Sequence, residues 1–330
     1  PSANNLATAL FGLGEYEQAR GMHADTLERR RRVLGPGHPE TLTSANNLAT
    51  ALFGLGEYEQ ARGMHADTLE RRRRILGPDH PETLTSANNL ATALSRLGEY
   101  EQARGMHADT LEHRRRILGP DHPETLNSAN NLAGALSRLG EYEQARRLHE
   151  DTIKHRRRIL GPDHPETLTS ANNLAGALDN LGEYEQARRL HEDTLEQRRR
   201  ILGPDHPDTL TSANNLAGAL ESLGEYEQAR GMHADTLEHR RRVLGPDHPD
   251  TLTSANNLAT ALANLRQFRA AEQILGDARA RSRRVLGENH PDTQRLTENL
   301  AQVLTALGRP FEAQRLRAPG GKKGQRRKRR

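Results

Sequence analysis

The chain has 330 residues, 34% of them hydrophobic and 3% aromatic, with no Trp and no Cys. This composition excludes a single large core of bulky side chains, disulfides and thiolate metal sites, and no apolar run approaches the ~20 residues that span a bilayer. The net charge of +4 is concentrated at one end: residues 318–330 carry seven Lys and Arg and no acid, which leaves −3 for everything before them.

The stretch LGPDHPETLTSANNLA at 76–91 returns unchanged at 160–175 and nearly so from Leu118, Leu202 and Leu244, so the chain repeats every 42 residues. A fixed period of that size reads as one stacked array, here 1–317, packed in thin layers of Leu and Ala. In chain order, the array opens at Pro1 in the slot that Thr43 fills one period later, so a further segment is expected upstream. Within the unit 76–118, Gly77 and Pro78 stop one helix. Asp79 or His80 caps the next, with Pro81 at its first position and Glu82 near the positive end of the dipole. Helix A is then predicted from Pro81 to about Leu97, on the stripe Leu84, Ala87, Leu90, Ala91, Leu94 and Leu97. Gly98 ends it. Helix B follows over 99–118 on Tyr100, Ala103, His107, Thr110, Leu111, Ile117 and Leu118, and so short a turn makes the two antiparallel. Such pairs continue to about Leu286, and another helix A starts at Pro291. After Leu307 the register slips, Phe311 arriving one residue late, so the last helix B is a stub that caps the array. Residues 318–330 are Gly-rich and charged, a composition expected to be disordered.

One such repeat cannot bury enough apolar surface to offset the entropy of ordering it, so each copy relies on stacking against its neighbours. The motifs NNLA, LGEYEQA and RRRxLGPDHP, with seven LGxxHP junctions, resemble the 42-residue tetratricopeptide repeats (TPR) of kinesin light chains and their bacterial relatives. That resemblance implies an all-α, right-handed solenoid of antiparallel helix pairs, with A helices lining a concave groove and B helices outside. His107 and Thr110 depart from the general TPR pattern, which usually has a bulky apolar residue and Ala there.

The candidate binding residues are asparagines. Asn46, Asn88, Asn130, Asn172, Asn214 and Asn256 fall off the Leu/Ala stripe, on the face that the resemblance assigns to the groove, and an amide offers both a donor and an acceptor to an extended backbone. The second Asn of each pair, such as Asn47, either joins that ladder or bonds a neighbouring helix. Between 43–84 and 85–126 only three positions change, Phe53 to Ser95, Gly54 to Arg96 and Arg71 to His113. The end of helix A thus runs from apolar Phe11 and Phe53, through basic Arg96 and Arg138, to acidic Asp179 and Glu221. This is either a graded binding surface or drift at a helix end.

The arginine runs such as 71–74 lie within i,i+4 reach of acids, Asp67 to Arg71 and Glu70 to Arg74, and read as a solvated helix face rather than a nucleic-acid surface. Sixteen histidines suggest metal. However, copies in successive layers stand ~8–10 Å apart, against Zn–N bonds of about 2 Å, so capping and packing are expected instead. No nucleophile elbow, phosphate loop or paired-carboxylate site is present, so neither a cofactor nor an enzymatic reaction is expected. The expected function is a protein-interaction scaffold holding an extended partner segment in the groove, in a reducing, cytoplasmic setting. Two alternatives remain open at this stage: a sensor or autoinhibitory arm of a signalling NTPase whose catalytic part lies upstream, and tethering of nucleic acid or an anionic surface by the basic tail.

Overall fold

A computed structural model describes residues 3–317, so the basic tail and its proposed contacts lie outside the described residues. Sixteen α-helices account for the architecture among them. The A helices run Pro39–Gly54, Pro81–Arg96, Pro123–Arg138, Pro165–Asn180, Pro207–Ser222, Pro249–Asn264 and Pro291–Ala306. The B helices run Tyr16–Leu34, Tyr58–Leu76, Tyr100–Leu118, Tyr142–Leu160, Tyr184–Leu202, Tyr226–Leu244 and Phe268–Val285. Ala3–Gly12 and Pro310–Arg317 are the helices at the two ends of the described residues. The fold is a TPR solenoid of sequential antiparallel pairs. Contacts group it into two compact units divided between Leu223 and Gly224, and each is described by itself. No described helix is long and apolar enough to cross a membrane.

The junction works as the residue types dictate. Gly77 takes φ 88°, a sign that side chains with a Cβ avoid, and its N–H closes on the Arg73 carbonyl. His80 is the cap: its Nδ1 accepts the Glu82 N–H at 3.2 Å, ahead of Pro81. All seven junction histidines do the same. The other cap candidate, Asp79, reaches helix B of its own repeat, to His113 at 2.5 Å and Arg116 at 2.7 Å. Between helices A and B the chain turns at Gly98, φ 84°, where the Glu99 N–H returns to the Leu94 carbonyl at 3.0 Å.

Packing follows the predicted stripe of helix A: Leu84, Ala87, Ala91 and Leu94 are buried, as are Ala103 and Leu111 of the helix B that packs on it. The far end of helix B departs from expectation. Ile117 is 43% exposed, because Arg114 occupies the buried turn before it and the stripe rotates off the interface.

Candidate functional site

A helices pack on their successors, 123–138 on 165–180 and 165–180 on 207–222 in the first unit, and 249–264 on 291–306 in the second. The residue facing position i is i+43, one beyond the sequence period. Asn89 therefore donates to the Asn46 carbonyl at 3.0 Å, Asn131 to Asn88 at 2.7 Å and Asn299 to Asn256 at 2.7 Å. The two asparagines of a pair, undecided from sequence, act between layers: the second of one repeat holds the first of the repeat before. Asn130 and Asn172 instead accept from their own helix B, His149 Nδ1 at 3.2 Å and His191 Nδ1 at 3.1 Å. In all five, the acceptor of the first Asn is committed, and what it offers a ligand is N–H, one of which already makes a long 3.5 Å bond in Asn130, to Ser170, and in Asn256, to Asn257. Asn46, Asn88, Asn130, Asn172 and Asn214 are half-buried, whereas Asn256 is only 6% exposed and presents little to a partner.

The helix-end residues obey the same offset. Phe53 lies against Tyr58 at 5.1 Å between centroids, and the Arg96 guanidinium of the next repeat sits 5.8 Å from the Phe53 ring. Phe11 covers the bare Cα of Gly54, where a Cβ would stand 2.8 Å from its ring. Asp179 is hydrogen-bonded by Ser222, yet burial raises its pKa, and burial pushes Glu221 up to about 7. Arg138 is exposed and has no ion pair among the described residues. The end positions thus pair across repeats, Arg96 with Phe53 and Phe11 with Gly54.

Two hollows open on this face in the first unit. One, of about 390 Å³, lies among the N-terminal halves of the A helices, where Asn88, Asn131 and Arg156 contribute to its wall. The other, of about 640 Å³, lies towards their C-terminal ends, lined by Gly134, Arg138, Tyr142, His149, Asn172 and Gly176 among others.

The arginine runs require a correction. Arg71 pairs with Asp67 at 2.9 Å on the surface, as expected, but the residue after it is interior: Arg72, Arg114, Arg156, Arg198 and Arg240 are between 1% and 6% exposed. Arg72 donates to Ser86 at 2.8 Å and to the Glu82 carbonyl at 3.1 Å on the next helix A, and to Thr43 at 3.1 Å on the preceding one. It also meets the Glu82 carboxylate at 3.1 Å. One side chain therefore ties three helices. Two signals for this were in the sequence. Arg72 lies three and seven residues beyond Leu69 and His65, on the buried stripe. Where this Arg becomes Ser282, Ser86's counterpart becomes Leu296, and Ser282 bonds Thr293 at 2.7 Å instead.

The helix B histidines His23, His65, His107, His149, His191 and His233 are all buried, 2–4% exposed. Burial alone or nearly alone holds five of them at about 4 and lowers His23 as well, so they are neutral packing residues.

The period, the i+43 stacking and the paired helices meet in one comparison: the tetratricopeptide repeat profile matches at 1–70, 45–115, 88–158, 128–196, 171–238, 213–284 and 255–316. The chain belongs to the tetratricopeptide repeat family. A variant of the nearly identical TPR-like repeats of a kinesin light chain candidate from Podosopora anserina is similar, with a TM-score of 0.52 at 27% identity over 62% of this chain and 97% of that one. BtubC (BKLC) from P. vanneervenii shares the fold at a TM-score of 0.55 and 18% identity, over 70% of this chain and 92% of that one. So does the apo quorum sensor NprR from B. thuringiensis, at 0.61 and 15%, over 95% and 84%. No curated sequence matches the chain.

Proposed function

We propose that this TPR array is a protein-interaction scaffold that holds an extended partner segment along its A helices, the asparagines gripping the partner's main chain and the helix-end residues setting its register. The observation that carries this reading is the hollow of about 640 Å³, where amide donors and the unpaired Arg138 converge on one face. Amides bind any peptide backbone, which gives grip without sequence preference, whereas charges penalise wrong partners more than they add affinity. Arg96 and Arg138 favour acidic residues in the centre of the partner. Burial pushes Glu221 up to about 7, which weakens its claim on a basic residue near neutral pH, and it raises Asp179 as well.

The test is selection from a peptide library on the wild-type array, with affinities measured by titration calorimetry. Charge reversal by Arg96→Glu with Arg138→Glu is expected to weaken acidic-centred peptides and favour basic-centred ones. Asn88→Ala with Asn130→Ala is expected to weaken both kinds. Thermal midpoints are followed in parallel, because Asn88 also holds Asn131. Selected peptides without charge order, bound equally by the charge-reversed array, would show that the end positions are drift.

A further inference from the structure

The chamber between helices Pro123–Arg138 and Pro165–Asn180 differs from the same place in the N-terminal repeats. Gly134 and Gly176 occupy the slot of Thr50 and Thr92. In the threonine repeats the hydroxyl is turned onto its own helix, Thr92 Oγ1 donating to the Asn88 carbonyl at 3.0 Å, so the residue bonds no neighbouring helix there. A Cβ at Gly134 or Gly176 would meet nothing within 4 Å. No packing constraint calls for glycine, and glycine is the poorest helix former after proline. What the two glycines change is the space in the chamber they line.

The wall of that chamber holds a second feature. His149 is 4% exposed, and its Nδ1 is 3.2 Å from Asn130 Oδ1. A carbonyl oxygen only accepts, so Nδ1 carries the proton and Nε2 is left as an acceptor. Nε2 has no hydrogen-bond partner among the described residues. The chamber is lined by His149 with this acceptor, by several side-chain amides and by the exposed Arg138, which has no ion pair among the described residues. That set matches one ligand chemistry, a peptide main chain with its alternating N–H and C=O groups, carrying a carboxylate side chain at the rim.

We propose that this chamber is the seat of the partner's main chain, that Gly134 and Gly176 admit it to within hydrogen-bonding reach of His149 and Asn172, and that Arg138 takes an acidic side chain beside it. The inference rests on the groove reading above and narrows it to one stretch of the array. The threonine repeats hold a backbone off by the thickness of a side chain and add little affinity.

The probe is a phage-displayed library of random dodecapeptides selected on the wild-type array, with the enriched sequences resynthesised carrying a fluorophore. Dissociation constants are measured by anisotropy for wild type, Gly134→Ala with Gly176→Ala, Gly134→Thr with Gly176→Thr, and Arg138→Ala, each with its thermal midpoint. Affinity is expected to fall with side-chain size, about threefold for the alanine pair and about tenfold or more for the threonine pair. The midpoints should hold or rise, since both replacements are better helix formers than glycine. Arg138→Ala is expected to remove the preference for acidic peptides. If the threonine pair lowers the midpoint, the alanine pair decides by the same criterion. Peptides that bind both glycine variants as tightly as wild type, yet still lose affinity for Asn88→Ala with Asn130→Ala, would overturn the chamber assignment and leave the groove reading standing. A wild-type array that selects no ladder-dependent peptide would remove both.

Discussion

Arg114 and Arg115 are adjacent in the same run and have opposite roles. Arg114 is 4% exposed and donates to Ser128 at 2.8 Å and to the Glu124 carbonyl at 3.2 Å, whereas Arg115 is exposed. Truncating Arg114 leaves a hole at a layer boundary and removes these bonds together with the ion pair to the Glu124 carboxylate at 2.8 Å, although Ser128 still donates to the Glu124 carbonyl at 3.1 Å. Arg114→Ala is therefore expected to destabilise by about 3 kcal/mol, and Arg115→Ala by less than about 0.5 kcal/mol. Urea titration followed by circular dichroism distinguishes them, and equal shifts would mean that the buried guanidinium contributes nothing particular. Arg266 offers a contrast in sign. It stands where the other turns have glycine, with φ 58°, a left-handed conformation that costs a side chain about 1 kcal/mol. Arg266→Gly should raise the thermal midpoint, and a fall in scanning calorimetry would show that the Arg266 side chain compensates its strained backbone.

At the scale of the element, helix A is defined at both ends by local chemistry. Its first turn has Pro at N1, an acid at N2 and a histidine Nδ1 accepting from the backbone, and a cap of this kind is typically worth ~1 kcal/mol. His122→Ala should therefore lower the midpoint modestly, while His122→Asn, a stronger cap residue, should restore or exceed the wild-type value. An unchanged midpoint in the alanine variant would show that Pro123 and Glu124 define the start without it. Helix B lacks a side-chain cap at its N-terminus and depends on its neighbours: of its polar interior residues, Thr110 donates to the Met106 carbonyl of its own helix at 2.8 Å, whereas Arg114 finds its partners on the next helix A.

For the whole molecule, the repeated histidines add up. His65, His107, His149, His191 and His233 are held at about 4 in the fold, mainly by burial, against ~6.5 when unfolded. Between those values the unfolded chain binds the extra protons, so stability is fully present above the unfolded pKa and is lost as the pH falls towards 4. Each histidine contributes a slope of up to about 1.4 kcal/mol per pH unit, and identical repeats make the slopes additive. The thermal midpoint should hold from pH 8 to 7 and drop steeply from pH 6 to 5. Glu221 acts in the opposite sense. Its carboxyl is pushed up to about 7, so it costs stability as the pH rises from its unfolded value to 7, and Glu221→Gln should raise the midpoint at pH 8 but not at pH 4.5. A midpoint flat between pH 7 and 5 would mean that the histidines titrate freely in the folded array.

The period, the helix pairs and the stop-and-start junction were legible in the sequence, because each depends on residues within one repeat: Gly77, His80 and Pro81 act over six positions, and the Leu84 to Leu94 stripe over three turns. The asparagine ladder was visible as a row of candidates, but its bonding was not. Contacts between layers are offset by 43 residues rather than 42, so Asn89 meets Asn46 and Arg96 meets Phe53, and that extra residue comes from how one helix rests on the next. The same distinction separates Arg114 from Arg115, and Gly134 and Gly176 from helical glycines such as Gly105 that line no such chamber. Local spelling determined which segments are helices and where they end; which side chains face the next layer, and so lose water and gain partners, was decided only by stacking.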